Sequence, residues 1–177
     1  QPGMEAGHAL ADVLSGAVAP SGKLTDSWAY RYEDYPNAAA FSHMNGDTDT
    51  ERYEEGIYVG YRYFESFAKD KVLYPFGFGL SYTAFEISSA VADVSEDAIT
   101  VESVVKNTGD AAGKEVVEVY AQAPQGMLGK PSRVLAGFAK TQVIAPGEEE
   151  KVTIVIPKKA YASYDDSGVT GHKDSFL

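Results

Sequence analysis

Apolar and polar side chains alternate along ITVESVVKN, residues 99–107. Such alternation places one face of a β-strand in a core and the other in solvent. Four further β-rich runs lie on either side of it, at residues 85–91, 116–121, 134–138 and 152–156. Turn sequences rich in Gly, Pro and Asn separate several of these runs, at residues 107–110, 124–126 and 146–147. Short strands at this spacing predict a mainly β fold, an antiparallel β-sandwich.

The predicted sandwich has fewer strands than usual. Five strands fit between Phe85 and Ile156, whereas an immunoglobulin-like sandwich has about seven. The tail, residues 158–177, is polar and contains no run that favours another strand. A sandwich that lacks strands has an unpaired edge and an exposed apolar face, so we expect the chain to form a dimer or exchange strands.

The first 16 residues predict a helix. Pro2 suits a first helical turn, Glu5 lies near the positive end of the helix dipole, and Gly16 is a suitable C-terminal stop. Apolar residues recur at helical spacing, at Ala6, Leu10, Val13 and Leu14. A helix and a turn are too little for a separate sheet, and the chain begins with Gln1 rather than Met. We therefore expect this segment to be the end of an α/β domain in a longer protein.

Residues 26–55 show little periodicity but many aromatic side chains. This composition predicts a long ordered connection, because a free linker would be rich in Gly, Ser or charge. The stretch that follows, residues 56–64, is rich in β-branched and aromatic residues and is predicted to be extended.

Composition excludes several classes of protein. The chain has 177 residues, 44% of them hydrophobic, which excludes a wholly disordered chain. Its net charge of −11 argues against nucleic-acid binding, and no apolar run approaches the ~18 residues of a membrane span. The absence of Cys excludes disulfides, thiolate nucleophiles and Cys-based zinc sites. The absence of Cys is compatible with both oxidising and reducing compartments. We favour the bacterial cytoplasm over secretion as the location, and we expect no cofactor.

An acidic loop offers a candidate cation site. Asp47, Asp49 and Glu51 alternate along it after Asn45, and Ca²⁺ prefers oxygen ligands of this kind. The full EF-hand pattern is missing, so a solvated acidic loop is the favoured interpretation and a calcium site the alternative.

Three segments together resemble the C-terminal part of glycoside hydrolase family 3, the β-glucosidase and β-xylosidase family. They are residues 2–24 (PGMEAG…ADVLSG…PSGKL), residues 53–64 (YEEGIYVGYRYF) and residues 74–83 (YPFGFGLSYT). Residues 107–109 (NTG), 113–116 (GKEV) and 146–148 (PGE) are similar to the fibronectin type III-like domain that follows in this family. Each segment alone is weak evidence for this family, but the occurrence of all of them in the family's order is highly specific.

The resemblance implies three segments. Residues 1–24 would end an α/β sandwich domain, residues 25–83 would connect the domains, and residues 84–177 would form the fibronectin type III-like sandwich. In the family two further strands follow the segment that resembles residues 162–165, so we expect this sandwich to be C-terminally truncated. The tail also resembles members with a permuted domain order, and the order in the parent stays open.

The resemblance also implies the chemistry. Family members are retaining enzymes with two carboxyl groups about 5 Å apart, an Asp nucleophile and usually a Glu acid/base. Neither residue has a matching position here, so no catalytic residue is assigned. The parent protein is expected to hydrolyse β-linked glycosides, with this chain supporting its catalytic domains and bordering the aglycone subsites. The chain alone is expected to be inactive.

Three residues are candidates for substrate binding. Glu5 follows what would be a strand end, where α/β sheets bind ligands, although a carboxylate that complements the helix dipole is the favoured interpretation. Trp28 and Tyr30, with Tyr32 and Tyr35, would stack on a sugar at the aglycone side, although packing is favoured for these rings as well.

A stand-alone carbohydrate-binding or adhesive β-sandwich is the alternative function. The helix in residues 1–24 and the motif in residues 53–64 count against it, because a free module has no use for part of another domain.

Overall fold

A computed structural model describes residues 3–177 and, within that range, all side chains except those of His43 and Ala92. Gln1 and Pro2, which the sequence places at the start of the first helix, lie outside the described residues. The helices are α1 (Ala6–Leu14) and α2 (Tyr61–Phe67), with short 3₁₀ turns at Tyr32–Asp34, Phe41–His43, Lys69–Lys71 and Lys158–Ala160. The strands are β1 (Trp28–Ala29), β2 (Val72–Tyr74), β3 (Phe85–Val94), β4 (Ala98–Asn107), β5 (Val116–Ala121), β6 (Val134–Lys140), β7 (Glu149–Pro157), β8 (Tyr164–Asp165) and β9 (Ser175–Phe176). No helix within the described range is long and apolar enough to cross a membrane.

The chain divides into two compact units. The first comprises residues 1–23, 79–119 and 135–160, and the second residues 24–78, 120–134 and 161–177. These units do not follow the three segments predicted from the sequence, because residues 120–134 and 161–177 are grouped with most of the predicted connection. The boundaries at residues 24 and 84 therefore remain predictions.

The first unit contains the predicted β-sandwich. Strands β3, β4 and β7 form one antiparallel sheet in that order, and β5 pairs with β6 in another. All five strands predicted between residues 85 and 156 are confirmed. On the inner face Val101 pairs with Ile154 and Ser103 with Val152, and all four residues are buried.

A glycine allows β6 to approach this sheet closely. A Cβ atom on Gly137 would lie 2.8 Å from Cγ2 of Ile154 on β7. The two sheets therefore face each other across the buried residues of β4 and β7, as a sandwich requires.

The first helix is confirmed, but it begins later than predicted, at Ala6, because residues 3–5 are described and are not helical. Helix α1 ends at Leu14 with Ser15 as its C-cap, and Gly16 adopts the positive φ of 78° typical of a residue just beyond a helix. None of its residues is buried. The predicted amphipathic pattern is present, with Ala6 and Val13 half-buried and Leu10 and Leu14 exposed.

The second unit is built around aromatic side chains. Phe64 on α2 is buried against the rings of Tyr35 and Tyr63, at centroid distances of 5.5 and 5.3 Å. Strands β1 and β2 pair beside this cluster, with Trp28 opposite Tyr74.

Two expectations for this unit were wrong. The extended conformation predicted for residues 56–64 is absent: residues 56–60 contain turns, and α2 starts after Gly60, which has a φ of 57°. Phe64 on α2 and Ala68, its C-cap residue, are buried and lie four residues apart. Aromatic residues favour strands, but buried residues spaced four positions apart are typical of a helix. The tail also contains a short strand pair, β8 with β9, although no strand is predicted there.

Candidate functional site

Glu5 lies at the N-terminus of α1 and belongs to the first unit. Its carboxylate accepts a hydrogen bond from, or pairs with, Nδ1 of His8 at 2.8 Å, and both side chains are largely exposed. The side chain makes no capping hydrogen bond to the helix. The placement at a helix start is confirmed, whereas a role in substrate binding stays a prediction.

Trp28 and Tyr30 belong to the second unit and present their rings to solvent. They are 53% and 63% exposed. Trp28 makes an edge-on contact with Tyr74 at 6.3 Å between centroids, and the backbone N–H of Tyr30 donates to the carbonyl of Lys71. An exposed ring held by a strand pair can stack on the apolar face of a sugar.

The four aromatic residues predicted as candidates for stacking on a sugar have different surroundings. Tyr35 packs against Phe64, and its hydroxyl donates to the Ser27 carbonyl at 3.3 Å and accepts from the Ala29 N–H at 3.0 Å. Packing is therefore the role of Tyr35. Tyr32 lies beside it and lines, with Asn37, Ala38 and Met44, an open cavity of about 460 Å³.

The acidic loop uses its carboxylates on its own backbone. Oδ1 of Asp47 accepts hydrogen bonds from the N–H groups of Asp49 and Thr50, at 3.0 and 3.1 Å. Asn45 accepts in the same way from Asp47. Among residues 3–177, apart from the side chains of His43 and Ala92, no group of three or more His, Asp or Glu residues is placed to hold a metal. The geometry of this loop therefore does not support the alternative of a calcium site at Asp47, Asp49 and Glu51.

The sequence did not reveal an ion-pair cluster on α2. The Glu65 carboxylate accepts a hydrogen bond from Nη2 of Arg133 at 2.5 Å and pairs with Nζ of Lys69 at 3.0 Å. The Arg133 guanidinium also lies 4.8 Å from the ring centroid of Tyr120, a distance suited to a cation–π contact. Glu65 is largely buried and held by two cations, so it acts as a structural anion that ties α2 to residues 120–134.

A second cluster that the sequence did not reveal surrounds Asp165. Its buried carboxylate accepts hydrogen bonds from the N–H groups of Gly168, Val169 and Thr170, at 2.7, 3.1 and 2.9 Å. The hydroxyl of Thr170 donates at 2.5 Å and that of Ser167 at 3.2 Å. One carboxylate thus organises the turn between β8 and β9.

These bonds set the charge state of Asp165. The hydrogen bond from the Thr170 hydroxyl lowers the pKa most, and burial of the carboxylate raises it. The N–H groups of Thr170 and Gly168 and the Ser167 hydroxyl lower the pKa further. Together they lower the pKa of Asp165 from 3.8 to about 2. A general acid needs a raised pKa, so Asp165 is an acceptor in a turn rather than a proton donor in catalysis.

The turn is expected to loosen in acid. Since the folded pKa is depressed, the ionised carboxylate stabilises the turn fully above pH 3.8, and this contribution disappears as the pH falls through about 2. At neutral pH, Asp165→Asn replaces one acceptor oxygen by a donor and should speed hydrogen exchange of the Gly168–Thr170 amides by about tenfold. The exposed neighbour provides the control, Asp166→Asn, which should leave these amides protected. Equal exchange in both variants would contradict this role for Asp165.

Two family models match the chain. The glycosyl hydrolase family 3 C-terminal domain matches residues 1–61, and the fibronectin type III-like domain matches residues 115–170.

Curated relatives match over almost all of the chain. A β-glucosidase of Ruminococcus albus is 54% identical over 172 residues, which are 97% of this chain and 18% of the relative. β-Glucosidase A of Butyrivibrio fibrisolvens is 49% identical over 185 residues, 95% of this chain and 22% of the relative. The chain thus spans about a fifth of the length of these relatives.

Solved structures agree with the fold. A β-glucosidase from Paenibacillus barengoltzii has a TM-score of 0.89 at 51% identity, covering 99% of this chain and 19% of that protein. β-Glucosidase 3B from Thermotoga neapolitana, in complex with glucose, has a TM-score of 0.85 at 41% identity, covering 93% of this chain and 23% of that protein.

Proposed function

Because the chain belongs to glycoside hydrolase family 3, we propose that it is the non-catalytic C-terminal part of a retaining β-glucosidase that hydrolyses terminal β-linked sugars. Its own role is structural. It supports the catalytic domains of the parent enzyme, and its aromatic residues border the aglycone side of the substrate.

One observation carries this proposal: two leucines on the apolar side of α1 are exposed. Leu10 and Leu14, four residues apart, are 59% and 74% exposed. Residues at this spacing share one face of a helix, and burying a leucine side chain is worth about 1.5–3 kcal/mol. Such a face is expected where a helix completes its packing against another domain, and it argues against a stand-alone carbohydrate-binding module.

The catalytic carboxylates belong to the other domains in this proposal. A retaining glycosidase needs one carboxylate free to attack and one carboxyl with a raised pKa. Glu65 is held between Arg133 and Lys69, and Asp165 is held by five donors in its turn. Neither is suited to either task.

The experiment compares the 177-residue chain with the product of its complete gene, using p-nitrophenyl β-glucoside. The complete protein should release p-nitrophenol and the chain alone should not. Activity of the isolated chain, or a complete gene without further domains, would contradict the proposal.

Trp28 and Tyr30 are the residues that we place at the aglycone side. In the complete enzyme, Trp28→Ala should raise KM for β-linked oligosaccharides by about tenfold, since a stacked ring is worth about 1–1.5 kcal/mol, and should change kcat little. The control is Phe41→Ala, an exposed ring of the same unit. An unchanged KM in Trp28→Ala and Tyr30→Ala would remove both residues from the substrate site.

We also propose that the isolated chain dimerises through β3. This strand is at an edge of its sheet, and Ile87 and Val91 on its inner side are exposed although their neighbours Val105 and Val101 are buried. An unpaired apolar edge favours pairing with a second copy. Sedimentation should show a dimer that Val91→Lys converts to a monomer; a wild-type monomer at all concentrations would contradict this.

A further inference from the structure

An open cleft in the second unit lies apart from Trp28 and Tyr30. Its volume is about 620 Å³, within the range of small-molecule sites. It is lined by side chains of α2 and of the loop between β5 and β6: Tyr58, Ser66, Phe67, Gln122, Ala123, Pro124, Gln125, Lys130 and Ser132.

The wall of this cleft is an exposed aromatic ring. Phe67 is 63% exposed although it is flanked by Tyr58, whose ring lies 4.8 Å away. The hydroxyl of Tyr58 donates to the carbonyl of Gly129 at 2.7 Å, which fixes the loop opposite α2. The ring and the loop are thus held in place by contacts within the unit.

One residue that lines the cleft has a hydroxyl without a hydrogen-bond partner among the described residues. Oγ of Ser132 is buried and makes no hydrogen bond within the described part of the chain. Its own backbone N–H donates to Oγ of Ser66 at 3.0 Å, and that hydroxyl donates to the carbonyl of Arg62 at 2.6 Å. Since buried polar atoms are almost always paired, this hydroxyl suits a ligand that brings its own donor and acceptor.

We propose that this cleft is a non-catalytic binding site for a neutral β-linked saccharide. A pyranose has an apolar face of C–H groups, which suits the Phe67 ring, and a rim of hydroxyls, which suits Ser132 and the amides of Gln122 and Gln125. None of the described lining residues carries a carboxylate, and Lys130 supplies a donor. A cavity of about 150 Å³ holds one six-membered ring, so the space admits more than one sugar.

The site is independent of hydrolysis by the parent enzyme, so it is tested on the 177-residue chain by NMR titration with cellobiose. The shifts should be largest at the amides of Phe67, Gln122, Gln125 and Ser132, with a Kd of about 1 mM. Mannitol, which has hydroxyls but no ring face, should produce no such shifts.

Two variants measure separately what the Phe67 ring and the Ser132 hydroxyl contribute to binding. Phe67→Ala should weaken cellobiose binding by about tenfold and Ser132→Ala by about threefold to tenfold, while Phe41→Ala should bind as the wild type does. The absence of shifts with cellobiose, shifts only around Trp28 and Tyr30, or binding that survives Phe67→Ala would overturn the proposal. None of these results bears on whether the complete enzyme releases p-nitrophenol.

Discussion

Replacing Phe64 by alanine should destabilise the second unit by about 3–5 kcal/mol. The side chain is 1% exposed, the largest among the fully buried ones of the described residues, and its ring contacts those of Tyr35 and Tyr63. Alanine would leave a cavity that these two rings cannot fill, because each is held elsewhere. Tyr35 is held by its hydrogen bonds at β1 and Tyr63 by its place on α2.

The same helix provides a matched control for this change. Phe67→Ala removes the same atoms from a ring that is mostly exposed, so it should cost less than about 1 kcal/mol. Trp28 is the only tryptophan of the chain and lies in the second unit, so its fluorescence during urea unfolding reports on that unit. Equal midpoints for Phe64→Ala and Phe67→Ala would show that Phe64 does not anchor the core.

The strands of the first unit were predictable because their pattern is local. Alternation along residues 99–107 and 152–156 places the buried residues Val101, Val105 and Ile154 on one face without any knowledge of their partners. Helix α1 was predictable for the same reason. Its exposed face was not, because periodicity indicates which side is apolar but not whether anything covers it.

The second unit was less predictable because its contacts join distant parts of the chain. Glu65 and Arg133 are separated by 68 residues, and neither has a neighbouring motif that indicates a pair. Around Asp165 the signal was present but not used. An Asp followed by Ser, Gly and Thr within five residues is typical of a turn in which the carboxylate accepts backbone N–H groups.

The supporting role proposed for the chain requires both units to be stable. In the first unit, we expect substitution of Asn107 to lower the free energy of unfolding most. It is fully buried at the end of β4. Its Nδ2 group donates to the carbonyls of Ala111 and Ile144 at 2.8 and 2.9 Å. Its Oδ1 accepts from the Thr83 hydroxyl at 2.7 Å and from the Gly109 N–H at 3.1 Å. One side chain thus satisfies groups in three loops, and all four of its own hydrogen bonds are made.

Asn107→Leu keeps the size of the side chain but removes these bonds, so it should cost about 3 kcal/mol or more. The penalty is large because the Ala111 carbonyl, the Thr83 hydroxyl and the Gly109 N–H lose their partner in the Asn107 side chain. The Ile144 carbonyl keeps one donor, the N–H of Gly113. Gln142→Leu, an exposed amide in the same unit, should cost less than about 0.5 kcal/mol. Urea unfolding followed by far-ultraviolet circular dichroism measures both variants, and hydrogen exchange along β4 localises the loss. If Asn107→Leu falls within about 1 kcal/mol of the wild type, water must replace the lost partners and Asn107 does not hold the loops together.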